Sequence, residues 1–401
     1  MARYAAGEIN KVLGYGRSVL LLGPRQAGKS TVIREMVAEK YPLELVLLQD
    51  PSVRIRLEQD PGQLIRELEA KTEKKTVFID EVQKVPEILD SVQYLIDEKK
   101  YRFILTGSSA RKLRRRGVNL LPGRIIACRM DPLLCGELGL VRENRLKAAP
   151  AANLGEEYGY GLPELMVYGA LPVMVNAGRE ERRKLLRSYV TAYLEEEIRA
   201  EALVRRLGVF SSFLRLVAQD SGGAVNLTKL SQQTGVSLPT IREYFEILKD
   251  TLVLEELPVF SRKVRRQIAG RSKYYLFDTG VRNALIGAPL AEELINVQKG
   301  VLFEHAVVLE IMRRCRLRPE RFTKLYYWRT RSGLEVDLVI ETAAGLIPVE
   351  IKAAADVALK ELPGLTAFMD EYQVKQGWVI TLSGRPQKLT ANITALPWNC
   401  L

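Results

Sequence analysis

At 401 residues, 47% hydrophobic and 27% charged, the chain is long enough for two or three compact units and has the balance of a folded globular protein, not a disordered, collagenous or coiled-coil one. A single histidine, His305, excludes a multi-histidine metal site. The four cysteines (Cys128, Cys135, Cys315, Cys400) form no C-x-x-C pair and fit a reducing compartment. The net charge of +12 points to a polyanionic partner, nucleic acid first. No apolar run approaches the ~18 residues that span a bilayer, and the chain opens without a charged-then-apolar leader. A cytoplasmic protein without a membrane partner is expected.

The first 150 residues alternate short apolar runs with longer amphipathic stretches, the pattern of an α/β domain: a parallel sheet with helices on both faces. Strands are predicted over 19–22, 45–48, 76–79, 102–105 and 124–128. Each ends in polar or Gly-containing sequence, where open α/β sheets place ligands. An Ala-, Gly- and Glu-rich stretch, 148–161, leads into a predicted helical linker over 151–206, where Tyr189, Tyr193, Leu194 and Ile198 keep helical spacing. Residues 207–286 read as a winged helix-turn-helix. Phe210, Phe213, Leu214 and Val217 mark an apolar helix; Gly235 then turns, Ser237 caps, and Pro239 opens a helix carrying Ile241, Tyr244, Phe245 and Leu248. Apolar pieces at 252–254 and 274–277 bracket a basic wing. From 287 to 401, a helix over 303–312 and strands over 324–328, 335–340, 347–351 and 378–381 predict a further α/β domain.

Gly23-Pro24-Arg25-Gln26-Ala27-Gly28-Lys29-Ser30 fits the phosphate-loop pattern G-x-x-x-x-G-K-[ST], between a strand and a helix that begins at Thr31. In such a loop the backbone N–H groups turn inward around phosphates, Lys29 reaches the outer phosphates and the Ser30 hydroxyl holds Mg²⁺. ATP and Mg²⁺ are the expected ligands. Fifty residues on, Thr76-Val77-Phe78-Ile79-Asp80-Glu81 is an apolar strand ending in two acids. Asp80 is the expected metal ligand and Glu81 the base for the attacking water. A Gly-rich turn or a solvated strand end would explain either feature alone, but not both together. Thr106 ends the next strand, placed to contact water or the γ-phosphate. Seven basic residues and no acid lie from Arg111 to Arg129. Arg124, after Pro122-Gly123, is the choice for an arginine finger; a solvated or nucleic-acid-facing patch is the alternative for Arg111 to Arg116.

The order Gly-Pro-Arg-Gln-Ala-Gly-Lys-Ser (23–30), Phe-Ile-Asp-Glu-Val-Gln-Lys-Val-Pro (78–86) and Leu-Thr-Gly-Ser-Ser (105–109) resembles a prokaryotic family of AAA-type P-loop ATPases with a C-terminal domain of unknown function. The likeness continues through Tyr168-Gly169-Ala170-Leu171-Pro172, Tyr274-Tyr275-Leu276-Phe277-Asp278-Thr279-Gly280 and Tyr327-Trp328-Arg329-Thr330. It departs at Ala170-Leu171, where the family commonly has a second glycine. It implies an ATP-binding protein and leaves the task open.

Asp337 and Glu350-x-Lys352 fall on neighbouring predicted strands, which looks like the core of the PD-(D/E)xK nuclease-like fold. Two carboxylates there would bind Mg²⁺ while the lysine helps activate water, and Glu304 on the preceding helix is a further candidate ligand. A polar cluster without turnover is the alternative. His305 is expected to be a satisfied or surface histidine. Arg262, Lys263, Arg265, Arg266, Arg271 and Lys273 make 261–275 a stretch of six bases and no acid, suited to DNA phosphates, with Arg242 on the second helix reaching bases. Packing between domains is the competing use. The combined expectation is an ATP-hydrolysing AAA-type enzyme that couples nucleotide state to a double-stranded-DNA-binding half. The alternatives are a slow ATP-dependent switch acting on a protein partner and a metal-dependent DNA nuclease.

Overall fold

A computed structural model describes residues 3–73, 76–99, 101–109, 123–141, 159–194, 207–263, 271–318 and 322–400. The chain divides into two compact units. Residues up to Leu133, with Asp250–Val253, belong to the first; the other described residues belong to the second.

The first unit holds five parallel strands: β1 (Ser18–Leu22), β2 (Leu43–Leu47), β3 (Thr76–Asp80), β4 (Phe103–Gly107) and β5 (Ile125–Arg129), in the order β2-β3-β4-β1-β5. Each predicted strand is present, displaced by no more than two residues at either end. Alternation explains the two layers of helices. Leu20, Val77, Ile79, Phe103 and Leu105 pack toward helices Pro51–Gln59, Gln63–Glu69 and Ile88–Asp97, while Val19, Leu21, Phe78 and Ile104 pack toward Tyr4–Gly14 and the helix after the loop. With β4 between β1 and β3, the phosphate loop, the acid pair and Thr106 all emerge on one edge.

The second unit begins earlier than the sequence suggested, at Leu134. Within it the Cys135 amide donates to buried Glu310 at 3.1 Å. The described part of the expected linker is no linker. Helices Leu162–Tyr168, Pro172–Asn176 and Arg179–Ser188, the last continued by the wider π-helical turn Tyr189–Leu194, pack into this unit. Ile198 lies outside the described residues. The joint is made by two of the family-like motifs. Ala170 N–H donates to Asp278 at 2.7 Å, Thr279 to the Leu165 carbonyl at 2.6 Å, and Asn283 to the Met166 and Val167 carbonyls at 3.0 Å. A Cβ on Gly280 would stand 2.1 Å from the Tyr168 oxygen, so the two segments meet only because a glycine is there.

Helices Leu207–Gln219, Leu227–Thr234 and Leu238–Asp250 follow, with left-handed Gly235 in the turn, and Phe210, Phe213, Tyr244 and Phe245 stack into their core. Next, β6 (Leu254–Leu257) pairs antiparallel with β7 (Lys273–Leu276). Helix Glu293–Leu317 precedes a mixed sheet of β8 (Phe322–Arg329), β9 (Glu335–Thr342), β10 (Gly345–Ile351), β11 (Gly377–Thr381), β12 (Gln387–Lys388) and β13 (Ile393–Pro397), in the order β12-β13-β11-β10-β9-β8. The expected boundary at 286/287 is bridged by backbone pairing. Phe260 N–H donates to the Tyr327 carbonyl at 2.6 Å and Tyr327 N–H to the Pro258 carbonyl at 3.0 Å, so the hairpin and the sheet belong to one unit.

Candidate functional site

The phosphate loop leaves β1 at Gly23, where a Cβ would lie 2.2 Å from the Met130 oxygen, and closes at Gly28, whose φ is 90°. Between them, exposed Gln26 also takes a left-handed conformation, φ 55°, while Pro24 and Ala27 are buried. Arg25 is half-buried, and Thr31 is exposed in the first helical turn. Arg3, which sequence reasoning missed, braces the loop: it is 4% exposed and donates to the carbonyls of Ala27 (2.7 Å) and Asp131 (2.6 Å). Lys29 is buried, and its ammonium donates to the carbonyls of Gly23 (2.8 Å) and Pro24 (3.1 Å). These acceptors are neutral, so an anionic phosphate would outcompete them.

Ser30 Oγ lies 2.8 and 2.9 Å from the two carboxylate oxygens of Asp80. A hydroxyl and a carboxylate converging at a strand tip fit a hard, oxygen-preferring cation, so Ser30 and Asp80 would hold Mg²⁺. Thr106, fully buried, donates to Asp80 at 2.6 Å and accepts from the Glu81 backbone N–H at 3.0 Å. It therefore positions both acids and offers no surface to a nucleotide, which corrects its assignment as a direct ligand. Glu81 adopts φ 61°, an uncommon conformation for a side chain of its size. Gln83 Nε2 donates to the Glu81 carboxylate and to Ser108 Oγ at 3.1 Å, fixing where that carboxylate points. Gln83 was not singled out in the sequence; its place two residues after the acid pair was the available signal.

Arg124 is not brought to this site. In the parallel register Ile125 faces Ser18 and Arg129 faces Leu22, so Arg124 lies at the opposite sheet edge, at least about 13 Å from the loop. There it pairs with Asp97 at 2.6 and 2.8 Å. It is no finger for its own loop. Arg129, at the correct edge, is bonded to Asp131 at 2.8 Å, and 111–116 lie outside the described residues.

In the second unit, Asp337 on β9 and Glu350 on β10 come together as the sequence predicted, with Ile351 N–H donating to Asp337 at 2.7 Å. Burial, then the Glu350 and Glu304 charges, push Asp337 well above the usual carboxylate range. Burial also raises Glu350, against the opposing pull of Lys352, whose ammonium is 2.9 Å away. The unexpected member is Lys273. Only 4% exposed, it lies 3.5 Å from Glu304 and 2.5 Å from Glu335, and Tyr275 donates to Glu304 at 2.8 Å. Burial opposes its charge, but Glu304, Glu335 and Asp337 outweigh that and hold its pKa above the ordinary value.

Lys273 is thus an internal counterion, which corrects its assignment as a DNA contact. Alternation along β7 turns Lys273 and Tyr275 inward together. Among the described residues, no three acid, histidine or cysteine side chains are set to hold a metal ion. Glu304, Asp337 and Glu350 therefore do not converge as a three-carboxylate site, and the Lys273 ammonium supplies positive charge among them. His305 is fully buried beside it, bonded through Nε2 to the Leu276 carbonyl at 2.7 Å, and burial pushes its pKa down to about 3.

Of the remaining predicted DNA contacts, Arg242, Arg262, Lys263 and Arg271 are exposed, and Arg262 sits 5.2 Å over the Tyr372 ring. Arg265 and Arg266 lie outside the described residues.

Residues 15–139 match the family model described as an AAA domain. The match falls almost entirely within the first unit. Residues 160–292 and 299–401 match two domains of unknown function, DUF8612 and DUF4143. An uncharacterized protein of Mycobacterium tuberculosis is 26% identical over 355 residues, covering 87% of this chain and 73% of that protein. One of Haemophilus influenzae is 24% identical over 316 residues, covering 74% of each. Among solved structures, the Walker-type ATPase of Pyrococcus abyssi is 17% identical and covers 70% of this chain and 94% of that chain, with a TM-score of 0.47. No helix among the described residues is long and apolar enough to cross a membrane.

Proposed function

We propose that the protein binds and hydrolyses ATP with Mg²⁺ at the phosphate loop, and that nucleotide state is coupled to DNA engagement by the second unit. One observation carries the ATPase reading: Ser30, Asp80, Thr106 and Glu81 form a continuous hydrogen-bonded chain beside the buried Lys29, whose ammonium donates to the Gly23 and Pro24 carbonyls. Bound Mg²⁺ neutralises phosphate oxygens. The chain's own groups do the rest. Lys29 and the loop amides bind the phosphates, and Glu81, oriented by Gln83, takes the proton of the attacking water.

The helix–turn–helix and the β6–β7 hairpin support a winged-helix reading of 207–286, and the mixed sheet bearing Asp337 and Glu350-x-Lys352 supports a nuclease-like fold for the C-terminal residues. Lys273 among the carboxylates favours a binding scaffold over a cleaving centre. ATP turnover of the parent and of Glu81→Gln, each with and without DNA, tests the proposal. The variant should retain ATP and lose turnover by about 10²–10⁴-fold, and the parent should respond to DNA. Parental turnover in the variant would remove Glu81 as base; indifference of the parent to DNA would favour a switch acting on a protein.

A further inference from the structure

Two concavities of the second unit meet at Arg271. One, about 1160 Å³, is lined by residues including Phe260, Arg271, Arg329, Arg331 and Tyr372; the other, about 800 Å³, by residues including Arg242, Arg271, Tyr274, Lys324 and Tyr326. Several cations elsewhere in this unit are matched, Lys249 with Glu246 and Glu256, Arg316 with Glu255, Lys273 with Glu304 and Glu335. Along this track Arg329 alone is paired, with Glu335 at 3.4 Å. Among the described residues, Arg242, Arg271, Lys324 and Arg331 have no carboxylate within ion-pair distance, and all four are exposed. Of the acids that line the two concavities, Glu256 is occupied by Lys249, Ser272 and Tyr274; Glu371 is the other. A row of unmatched cations repels itself unless a polyanion covers it.

The shape selects among polyanions. Arg242, on the helix that a major-groove reader would insert, lines the smaller concavity together with Lys324 and Tyr326 of β8. A groove walled on both sides admits one strand and not a duplex, whose major groove must receive the helix. Half-buried Tyr274 and Tyr372 stand one in each concavity, and Arg262 stacks over Tyr372, the pairing of aromatic faces and cations on which unpaired bases stack.

We propose that this track binds single-stranded nucleic acid of about four or more nucleotides. Phosphates follow Arg242, Lys324, Arg271 and Arg331, and bases lie against Tyr274 and Tyr372. The proposal rests on the nucleic-acid reading above and changes its substrate from duplex to strand.

Fluorescence anisotropy with full-length protein tests it, using labelled dT20, rU20, a 20-base-pair duplex and a polyglutamate peptide over a range of salt. Expected is binding of dT20 or rU20 at least about tenfold tighter than the duplex or the peptide; the two strands separate DNA from RNA. Arg271→Ala/Arg331→Ala should lower the strand's log–log salt slope by about 1.4, at roughly 0.7 per phosphate contact, and Tyr372→Ala should weaken binding without changing the slope. All three side chains are at least partly exposed, and an unchanged circular dichroism melt verifies folding. Tighter duplex binding that these variants leave untouched overturns the track while sparing nucleic-acid binding. Absence of binding to any of the three nucleic acids overturns both. Preference for polyglutamate assigns the track to an acidic protein and overturns the proposal.

Discussion

Both units gather acids at strand ends beside a buried lysine, and the two lysines have opposite partners. Lys29 rests on the backbone carbonyls of Gly23 and Pro24, while Lys273 lies among Glu304, Glu335 and Asp337. An ammonium that donates to backbone carbonyls can exchange them for an incoming anion; one surrounded by carboxylates is already neutralised. The first arrangement suits an incoming anion, and the second is a closed cluster. The partner of the lysine distinguishes them, not the residue types, which are nearly the same.

The largest expected effect breaks the closed cluster. Lys273→Met keeps the length of the side chain but leaves buried carboxylates uncompensated, and should cost about 3–5 kcal/mol in urea unfolding. The same variant should bind Mn²⁺ more tightly than the parent by titration calorimetry, because an ion could now take the vacated charge. Parental stability in Lys273→Met, or tight Mn²⁺ binding by the parent, would show that Lys273 is not the counterion.

Next in size is the open site. Lys29→Ala removes two charge-assisted bonds that a phosphate would receive, worth about 1.5 kcal/mol each, so ATP affinity should fall about 100-fold. Stability without nucleotide should change far less than in Lys273→Met, since the Gly23 and Pro24 carbonyls it leaves are neutral. A stability loss as large as that of Lys273→Met would erase the contrast between the lysines.

The contrast also separates what was legible in the sequence from what was not. The nucleotide site is local: 23–30 and 76–81 are contiguous, and strand–loop–helix context places their groups without long-range information. Only its supports, Arg3 from the chain start and Gln83, needed the fold. The second cluster is assembled from Lys273, Glu304, Glu335, Asp337 and Glu350. Asp337 and Glu350 were legible because a hairpin joins their strands. Lys273 was misread because six bases in fifteen residues looked like one patch, although β7 begins at Lys273, which shares the inward face with Tyr275, while exposed Arg271 precedes the strand. Arg124 failed for a related reason. It begins its strand, and parallel sheets put ligands at the other end.

The smallest effect concerns His305, which adjoins Glu304 in sequence but is packed against Tyr275 and the Leu276 carbonyl. Its pKa of about 3 lies below the unfolded value of about 6.5, so the unfolded state binds the proton first. Its neutral form is accommodated in full above pH 6.5, and stability is lost as pH falls from there toward 3, at up to about 1.4 kcal/mol per unit. The raised carboxylates Asp278, Asp337 and Glu350 act with the other sign, since their stability is greatest when protonated and is lost as pH rises. A difference measurement isolates the histidine. His305→Phe keeps the ring and loses the bond to Leu276, so it should be about 1 kcal/mol less stable at pH 7.5. Between pH 6.5 and 5 it should gain about 2 kcal/mol relative to the parent, because nothing remains to protonate there. A pH-independent difference between the two urea curves would mean that the parent accommodates the imidazolium and that this flank of the cluster is open to water.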